Sequence, residues 1–310
     1  MGCAFRLAIL FALLTLARVA PAQNIAIVLS EDSASYIEIA DLIRRVVNRQ
    51  ASEIKLLTLQ AEQLTSGEQE IFRADFYNLV VAVGARAANI VANLRVKSPV
   101  LNTLIPRALY EQLPYREGAN RSAIYMDHPL SRQLELARLV MPRKSRLGVI
   151  YGPQSARYSA EVERQAQLRG FTVVTEAVQR TADLGPTVQR VLDHADSFFV
   201  LPDADIFNRT TISKILLSSY HSADPVIAFS AYHVKSGALA ALITAPEHLA
   251  RHIGEMILKL HSDGKYLLPA PQYPMYWSVS VNRQVAHSLG LSIPSDQELQ
   301  SKLSLVVENP

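Results

Sequence analysis

Short apolar segments alternate with longer amphipathic segments along this chain, and the alternation occurs twice. The apolar segments are rich in Val, Ile and Leu at consecutive positions, as is typical of parallel strands covered on both faces. The predicted strands are Ile25–Leu29, Ile54–Leu59, Leu79–Val83 and Val100–Leu104 in the first half, then Leu147–Tyr151, Phe171–Val178, Phe198–Leu201 and Val226–Phe229 in the second.

Helical patterns lie between these strands. In Ser35–Asn48 the apolar residues recur on one face at a spacing near 3.6. Similar segments are Pro129–Met141, Ala156–Leu168 and Thr210–Tyr220. Strand–helix–strand repeats predict βαβ units in a doubly wound sheet. Because the repeat occurs twice with a similar rhythm, the sequence predicts an α/β protein with two doubly wound parallel-sheet lobes.

The first 22 residues have the layout of a secretory signal peptide. A short basic start, Met1–Arg6, precedes the ten-residue apolar run Leu7–Leu16, and Ala20-Pro21-Ala22 offers small residues for cleavage. The run is too short to span a bilayer. We therefore expect residues 1–22 to be removed, and the mature protein to be soluble and exported to the periplasm or another extracytoplasmic space.

Composition excludes several classes of protein. A hydrophobic fraction of 49% is ample for full cores and excludes a disordered or fibrous chain. Without Arg6 and Arg18 of the leader the formal net charge falls from +3 to +1, with no basic cluster, so nucleic-acid binding is not expected. Cleavage after Ala22 also removes Cys3, the single cysteine, which leaves no disulfide or thiolate metal site.

Ligands of open parallel sheets bind beyond the carboxyl ends of the strands. The residues in those positions are the candidate ligand contacts, and they are Ser33, Tyr36, Gly84 and Arg86 in the first half, with Ser155, Asp203, Ser230 and Tyr232 in the second. Four of them have a plainer alternative. Ser33 can simply cap a helix, Arg86 can point into water, and the tyrosines can be packing residues.

Signatures of catalysis are missing from the sequence. It has no GxSxG elbow, no HExxH pair and no phosphate-binding loop. His248 and His252 are four residues apart on one helical face, with Glu255 three residues further on, and could form a metal pair. Their surroundings, however, have the pattern of an ordinary surface helix. We expect no catalytic residues, no metal and no cofactor.

Several blocks of the second half resemble a known family. The blocks are Leu134–Pro142 with Arg146–Tyr151, Val200–Asp203, Asp224–Ser230, Val234–Ala240, and Val281–Arg283 through Leu289–Pro294. They are similar to ABC-transporter substrate-binding proteins, a family that includes exported tryptophan- and tyrosine-binding members. The resemblance extends from about Leu134 to Pro294, and over Asn24–Asn120 mainly the order of strands and helices agrees.

The resemblance implies a type I periplasmic-binding fold, in which three crossing segments form a hinge between the lobes. We expect crossings near Gly118–Ser122, Leu242–Ala245 and Leu268–Pro271. Lobe 1 would then comprise residues 23–120 plus 243–269, and lobe 2 residues 121–242 plus 270–310. The resemblance also implies a ligand pocket at the same strand ends, with Asp203 and Ser230 on lobe 2 facing Ser33, Tyr36 and Gly84–Arg86 on lobe 1.

The function implied is that of a monomeric, non-enzymatic solute-binding protein. It would close on a small organic ligand, such as an amino acid, and deliver it to an ABC permease in the inner membrane. Ala85 and the segment around Ile105 depart from the family pattern. These departures motivate an alternative, a diverged ligand-sensing or partner-binding module of the same fold that acts with a membrane receptor.

Overall fold

The computed structural model describes residues 23–66, 76–203 and 205–306. The predicted signal peptide and Cys3 therefore lie outside the described residues. None of the helices in these ranges is long and apolar enough to cross a bilayer.

Lobe 1 is built on a five-stranded parallel sheet in the order β2-β1-β3-β4-β5. Its strands are β1 (Asn24–Leu29), β2 (Lys55–Gln60), β3 (Leu79–Val83), β4 (Val100–Ile105) and β5 (Arg121–Tyr125). The connecting helices are α1 (Ala34–Asn48), α2 (Gln63–Ser66), α3 (Ala85–Leu94) and α4 (Arg107–Tyr110). β1 and β3 are almost entirely buried, because apolar clusters cover both faces of the sheet.

Lobe 2 contains a six-stranded sheet in the order β11-β10-β9-β8-β6-β7. Its strands are β6 (Arg146–Tyr151), β7 (Thr172–Ala177), β8 (Ser197–Phe199), β9 (Val226–Ala228), β10 (Ala240–Ile243) and β11 (Ser278–Val281). All neighbours are parallel except β11, which runs antiparallel to β10. Its helices are α5 (Leu130–Val140), α6 (Ser159–Gln167), α7 (Leu184–Leu192), α8 (Arg209–His221), α9 (Ala231–Lys235), α11 (Arg283–Ser288) and α12 (Asp296–Leu303).

One long helix returns from lobe 2 to lobe 1. α10 (Pro246–Ser262) follows β10, yet its Leu249 and Ile253 lie in the same apolar cluster as Ile39 and Ile43 of α1. Gly254 permits this close packing, because a Cβ on it would overlap the side chain of Val46. The chain therefore builds each lobe from separate stretches.

Three segments connect the lobes. The first follows β5 at Tyr125, the second joins β10 to α10 at 244–245, and the third lies between Gln272, which bridges to Ile124 of β5, and the buried Trp277 of lobe 2. The predicted α/β fold with two mostly parallel sheets is confirmed.

The first crossing differs from the expectation. Residues 121–125 pair in parallel with β4, so the sheet of lobe 1 continues past residue 120, where the sequence placed the boundary. The third crossing likewise follows Gln272 rather than ending at Pro271, because Gln272 is hydrogen-bonded to β5. We therefore place residues 24–125 and 246–273 in lobe 1, and residues 130–243 and 277–306 in lobe 2.

Candidate functional site

A cleft of about 450 Å³ lies between the lobes, and residues of all three crossings line it. Apolar side chains form most of its walls. They come from lobe 1 (Leu104, Leu249), from the first crossing (Met126) and from lobe 2 (Phe229, Leu242). Apolar walls with a few converging polar groups are typical of small-molecule sites.

Asp127, in the first crossing, is the most distinctive polar group of the cleft. Its Oδ2 accepts a hydrogen bond of 2.5 Å from the backbone N–H of Arg107, at the start of α4. Its Oδ1 is buried and has no hydrogen-bond partner among the described residues. Burial raises the pKa of Asp127 to about 6, and the N–H of Arg107 opposes that rise. At neutral pH this leaves an ionised carboxylate with one oxygen that no described group hydrogen-bonds.

His128 and Gln133 add two more polar groups beside Asp127. Burial lowers the pKa of His128 to about 3, with a further contribution from Arg132, so the ring is neutral. Its Nε2 lies 3.4 Å from Oγ1 of Thr244, whereas its Nδ1 has no partner in the described ranges. Gln133 donates from Nε2 to the carbonyl of His128 over 2.6 Å, and its buried Oε1 accepts from no described group. Asp127 and Gln133 thus offer two acceptor oxygens.

A smaller cavity of about 40 Å³ adjoins the cleft and shares Asp127, His128 and Gln133 with it. Arg107 of lobe 1 and Tyr158 of lobe 2 line its other side. The two lobes therefore come close together here, on one edge of the cleft.

Ser155 and Asp203, two predicted ligand contacts, are bonded to one another in lobe 2. Oδ2 of Asp203 accepts from the hydroxyl of Ser155 and from the N–H groups of Gln154 and Ser155, at 2.8–3.0 Å. Both residues are buried, and neither lines the cleft as defined above. Their hydrogen bonds fix the loop after β6 to the loop after β8.

Ser230 is the predicted contact that lines the cleft. It caps the N-terminus of α9, where its Oγ accepts from the N–H of His233 over 3.2 Å. Its own hydroxyl hydrogen remains available to a ligand. Tyr232 lies two residues further on, is 45% exposed, and is not among the lining residues.

The four predicted residues of lobe 1 lie together at the carboxyl ends of β1 and β3, but not in this cleft. Ser33 is the N-cap residue of α1, but its side chain makes no capping hydrogen bond. Gly84 has φ of +93°, and a Cβ there would overlap Oγ of Ser30 and lie 2.7 Å from Oη of Tyr36. Burial raises the pKa of Tyr36, and the Glu31 carboxylate raises it further. Arg86 is largely exposed, 3.9 Å from Glu62.

The face of α10 considered for a metal has other contacts. Glu255 accepts from Oη of Tyr276 over 2.6 Å and from Nε of Arg251 over 2.8 Å, and His252 Nδ1 accepts from the N–H of Met275. Across the described ranges, no group of three His, Cys, Asp or Glu side chains is arranged to hold a metal ion. The side chains of α10 instead attach the third crossing to lobe 1.

Sequence reasoning missed Asp127, His128 and Gln133. They follow β5, whose first residues, Arg121 and Ser122, are polar, so the apolar part of the strand is only three residues long. Recognising that strand would have placed Asp127 and His128 at its carboxyl end, where ligand contacts are expected.

Comparison with known proteins identifies the family to which the chain belongs. A model of the family described as ABC transporter substrate binding protein matches residues 25–296. A curated relative, the tyrosine-binding protein of Clostridioides difficile (strain R20291), is 23% identical over 197 residues. These residues make up 61% of this chain and 56% of the relative, so the match spans little more than half of that protein's length.

Two solved structures share the fold. An ABC domain in complex with L-Trp from Streptococcus pneumonia is 21% identical, with a TM-score of 0.64 over 90% of this chain and 97% of that one. A ligand-free, open substrate binding protein with adhesive properties from Clostridium difficile is 19% identical, with a TM-score of 0.71 over 89% and 97%. The resemblance seen in the sequence is thereby confirmed, and because the family model matches most of its length, the chain belongs to the family of ABC transporter substrate binding proteins.

Proposed function

We propose that the protein captures a small organic ligand carrying an ammonium group, such as an amino acid, in the cleft between its lobes and delivers it to an ABC importer. The observation that carries this proposal is the buried, unpartnered Oδ1 of Asp127 in a cleft that both lobes line. A buried carboxylate oxygen without a donor is costly, and an ammonium group supplies the missing charge and hydrogen bond.

The other groups of the cleft suit the rest of an amino acid. Oε1 of Gln133 is a second acceptor for the ammonium group, and the hydroxyl of Ser230 can donate to a ligand carboxylate. The apolar walls formed by Met126, Phe229 and Leu242 suit an aliphatic or aromatic side chain. The relatives agree with this ligand class, since one is named for tyrosine and another holds L-Trp.

The transport role rests on the hinge and the family. A ligand that contacts both lobes stabilises the closed form by the difference between its affinities for the closed and open forms. The closed protein then binds a permease in the inner membrane. We propose that it acts as a monomer without catalytic residues or cofactor, and that cleavage after Ala22 releases it outside the cytoplasm. N-terminal sequencing of the exported protein, expected to begin at Gln23, tests the cleavage.

Binding is tested on protein that has been unfolded and refolded to remove any retained ligand. Thermal unfolding is measured with each amino acid and with the matching α-keto acids, which lack the ammonium group. A ligand at 100 times its Kd adds about 2.7 kcal/mol to the free energy of unfolding. Asp127→Asn should weaken binding by about 30-fold or more, because losing one partner of a buried charge pair costs about 2–5 kcal/mol.

The matched control is Asp193→Asn, which removes the same charge from an exposed position at the end of α7. Equal binding of the keto acids, or unchanged affinity in Asp127→Asn, would contradict the ammonium site. The importer role would be contradicted if no small molecule stabilised the protein and pull-downs recovered a membrane receptor instead of permease subunits.

A further inference from the structure

Charged side chains of the two lobes meet at one edge of the cleft. Glu111, directly after α4 of lobe 1, accepts a hydrogen bond of 3.1 Å from Oη of Tyr158 in lobe 2. The same carboxylate oxygen lies 3.4 Å from Nη1 of Arg157. Burial raises the pKa of the Tyr158 phenol and the Glu111 carboxylate raises it further, so the phenol remains a donor at neutral pH.

Arg107 makes a second set of contacts between the lobes. Its Nη1 lies 3.7 Å from Oε2 of Glu161 at the start of α6, and its guanidinium carbon is 5.4 Å from the ring centre of Tyr158. Within lobe 1 its Nε donates to Glu111 over 2.8 Å, and its Nη1 donates to Oη of Tyr273 over 3.0 Å. These bonds hold the guanidinium in position to face lobe 2.

The surroundings shield these contacts partly from water. The side chains of Arg107, Glu111 and Glu161 are 27%, 33% and 29% exposed, so each is partly shielded from water. None of them is one of the acceptor groups assigned to the ligand. They are nevertheless close to that site, because the backbone N–H of Arg107 holds Oδ2 of Asp127.

We infer that Arg107 and Glu111 of lobe 1, with Arg157, Tyr158 and Glu161 of lobe 2, form an ion-paired clasp that holds the lobes together in the absence of ligand. The clasp sets the fraction of protein that is closed before ligand arrives. Only the consequence for affinity rests on the proposed function. If closed protein is the binding-competent form, the apparent Kd equals the intrinsic Kd divided by the closed fraction, so weakening the clasp weakens binding.

The test measures the distance between the lobes on ligand-free protein. Cys3 is the only cysteine of the chain, so a Cys3→Ser variant has no native thiol. Spin labels are then attached to two introduced cysteines, Glu38→Cys on lobe 1 and Lys235→Cys on lobe 2. Both positions are exposed and lie outside the clasp. Pulsed electron–electron double resonance then measures the distribution of distances between the two labels, which gives the populations of the closed and open arrangements.

Glu111→Gln and Glu161→Gln should each raise the open-to-closed ratio about two- to fivefold, the range that partly screened ion pairs support. Sodium chloride at 1 M should do the same in the parent protein, because it reduces the screening length to about 3 Å. The matched control is Glu176→Gln, which removes the same charge from an ion pair with Arg190 inside lobe 2. It should leave the ratio unchanged.

Identical distance distributions in the parent, Glu111→Gln and Glu161→Gln proteins would overturn the clasp. A salt response that persists unchanged in the Glu111→Gln/Glu161→Gln double variant would also overturn it, because the screened charges would then lie elsewhere. No ligand is added, so a negative ligand screen, which bears on the proposed function, does not affect this result.

Discussion

The hydroxyl of Ser155 donates to Oδ2 of Asp203 over 2.8 Å, and the backbone N–H of Ser155 donates to the same oxygen over 2.9 Å. The carboxylate of Asp203 therefore serves as an internal support for the loop after β6. Residues at the carboxyl end of a strand can thus be fully used by the fold itself.

Removing that support should destabilise the protein. Asp203→Ala leaves the buried N–H and hydroxyl of Ser155 without an acceptor, so the free energy of unfolding should fall by about 2–4 kcal/mol. Urea denaturation measures the change, with Asp193→Ala as the exposed control. Unchanged stability combined with lost ligand affinity would identify Asp203 as a ligand contact instead.

Gly254→Ala should also destabilise, although alanine is the better helix former. The added Cβ overlaps Val46 of α1, and overpacking of this kind costs about 1–3 kcal/mol. Val46→Ala in the same protein should restore part of the loss. Lys259→Ala, on an exposed position of α10, is the control and should be nearly neutral. Equal effects of the Gly254 and Lys259 changes on thermal unfolding would contradict the close packing of α10 on α1.

The free energy of unfolding should decrease as the pH falls below about 6.5. Burial lowers the pKa of His128 to about 3 and that of His233 to about 4. It also lowers the pKa of His252. The unfolded chain binds protons near pH 6.5, so the stability from each neutral ring is full above that pH and is lost as the pH falls towards the folded pKa. Asp127, whose pKa is raised to about 6, acts in the opposite direction, because it favours the folded state at low pH.

His128→Gln isolates one of these contributions. In the parent protein the free energy of unfolding falls between pH 7.5 and pH 5, and this substitution should make that fall about 2 kcal/mol smaller. The unfolding midpoint followed against pH gives the slope, and the exposed His194→Gln serves as the control. If both variants keep the parent's slope, His128 is not the neutral ring described above.

Ligand binding should have its own pH dependence through Asp127. Above pH 6 the carboxylate is ionised and affinity for an ammonium ligand should be constant, whereas below pH 6 it should fall about tenfold for each pH unit. Calorimetric titration of the ligand found in the screen measures this from pH 5 to pH 8. Asp127→Asn should give a weak affinity with a flat profile, and tighter binding in acid would contradict the role of Asp127.

The sequence allowed much of the fold to be predicted, because buried parallel strands have long apolar runs. Leu79–Val83 was predicted with the bounds that the structure shows. β5 and β11 were missed because polar residues interrupt their apolar pattern: Arg121 and Ser122 open β5, and Ser278 and Ser280 alternate with Val in β11. β10 was missed as well, because the alanines of Ala240–Ile243 have low β propensity. The missed β5 moved the lobe boundary.

The site was harder to predict than the fold. Strand ends located Ser230 in the cleft, but the same rule selected Asp203, whose oxygen is used inside lobe 2, and Arg86, which is largely exposed. Spacing along the chain places a residue near an edge of the sheet. Whether its side chain faces the cleft depends on packing between segments distant in sequence, and that is what brings Asp127 and Thr244 together.

The bridge between Gln272 and β5 has a consequence for solubility. The N–H of Gln272 donates to the carbonyl of Ala123, and its own carbonyl accepts from the N–H of Tyr125. β5 is the edge strand of its sheet, and unpaired edge groups are templates on which other chains can aggregate. The segment that links the lobes therefore also occupies part of this edge, so the carbonyl of Ala123 and the N–H of Tyr125 are already paired and offer no template to another chain.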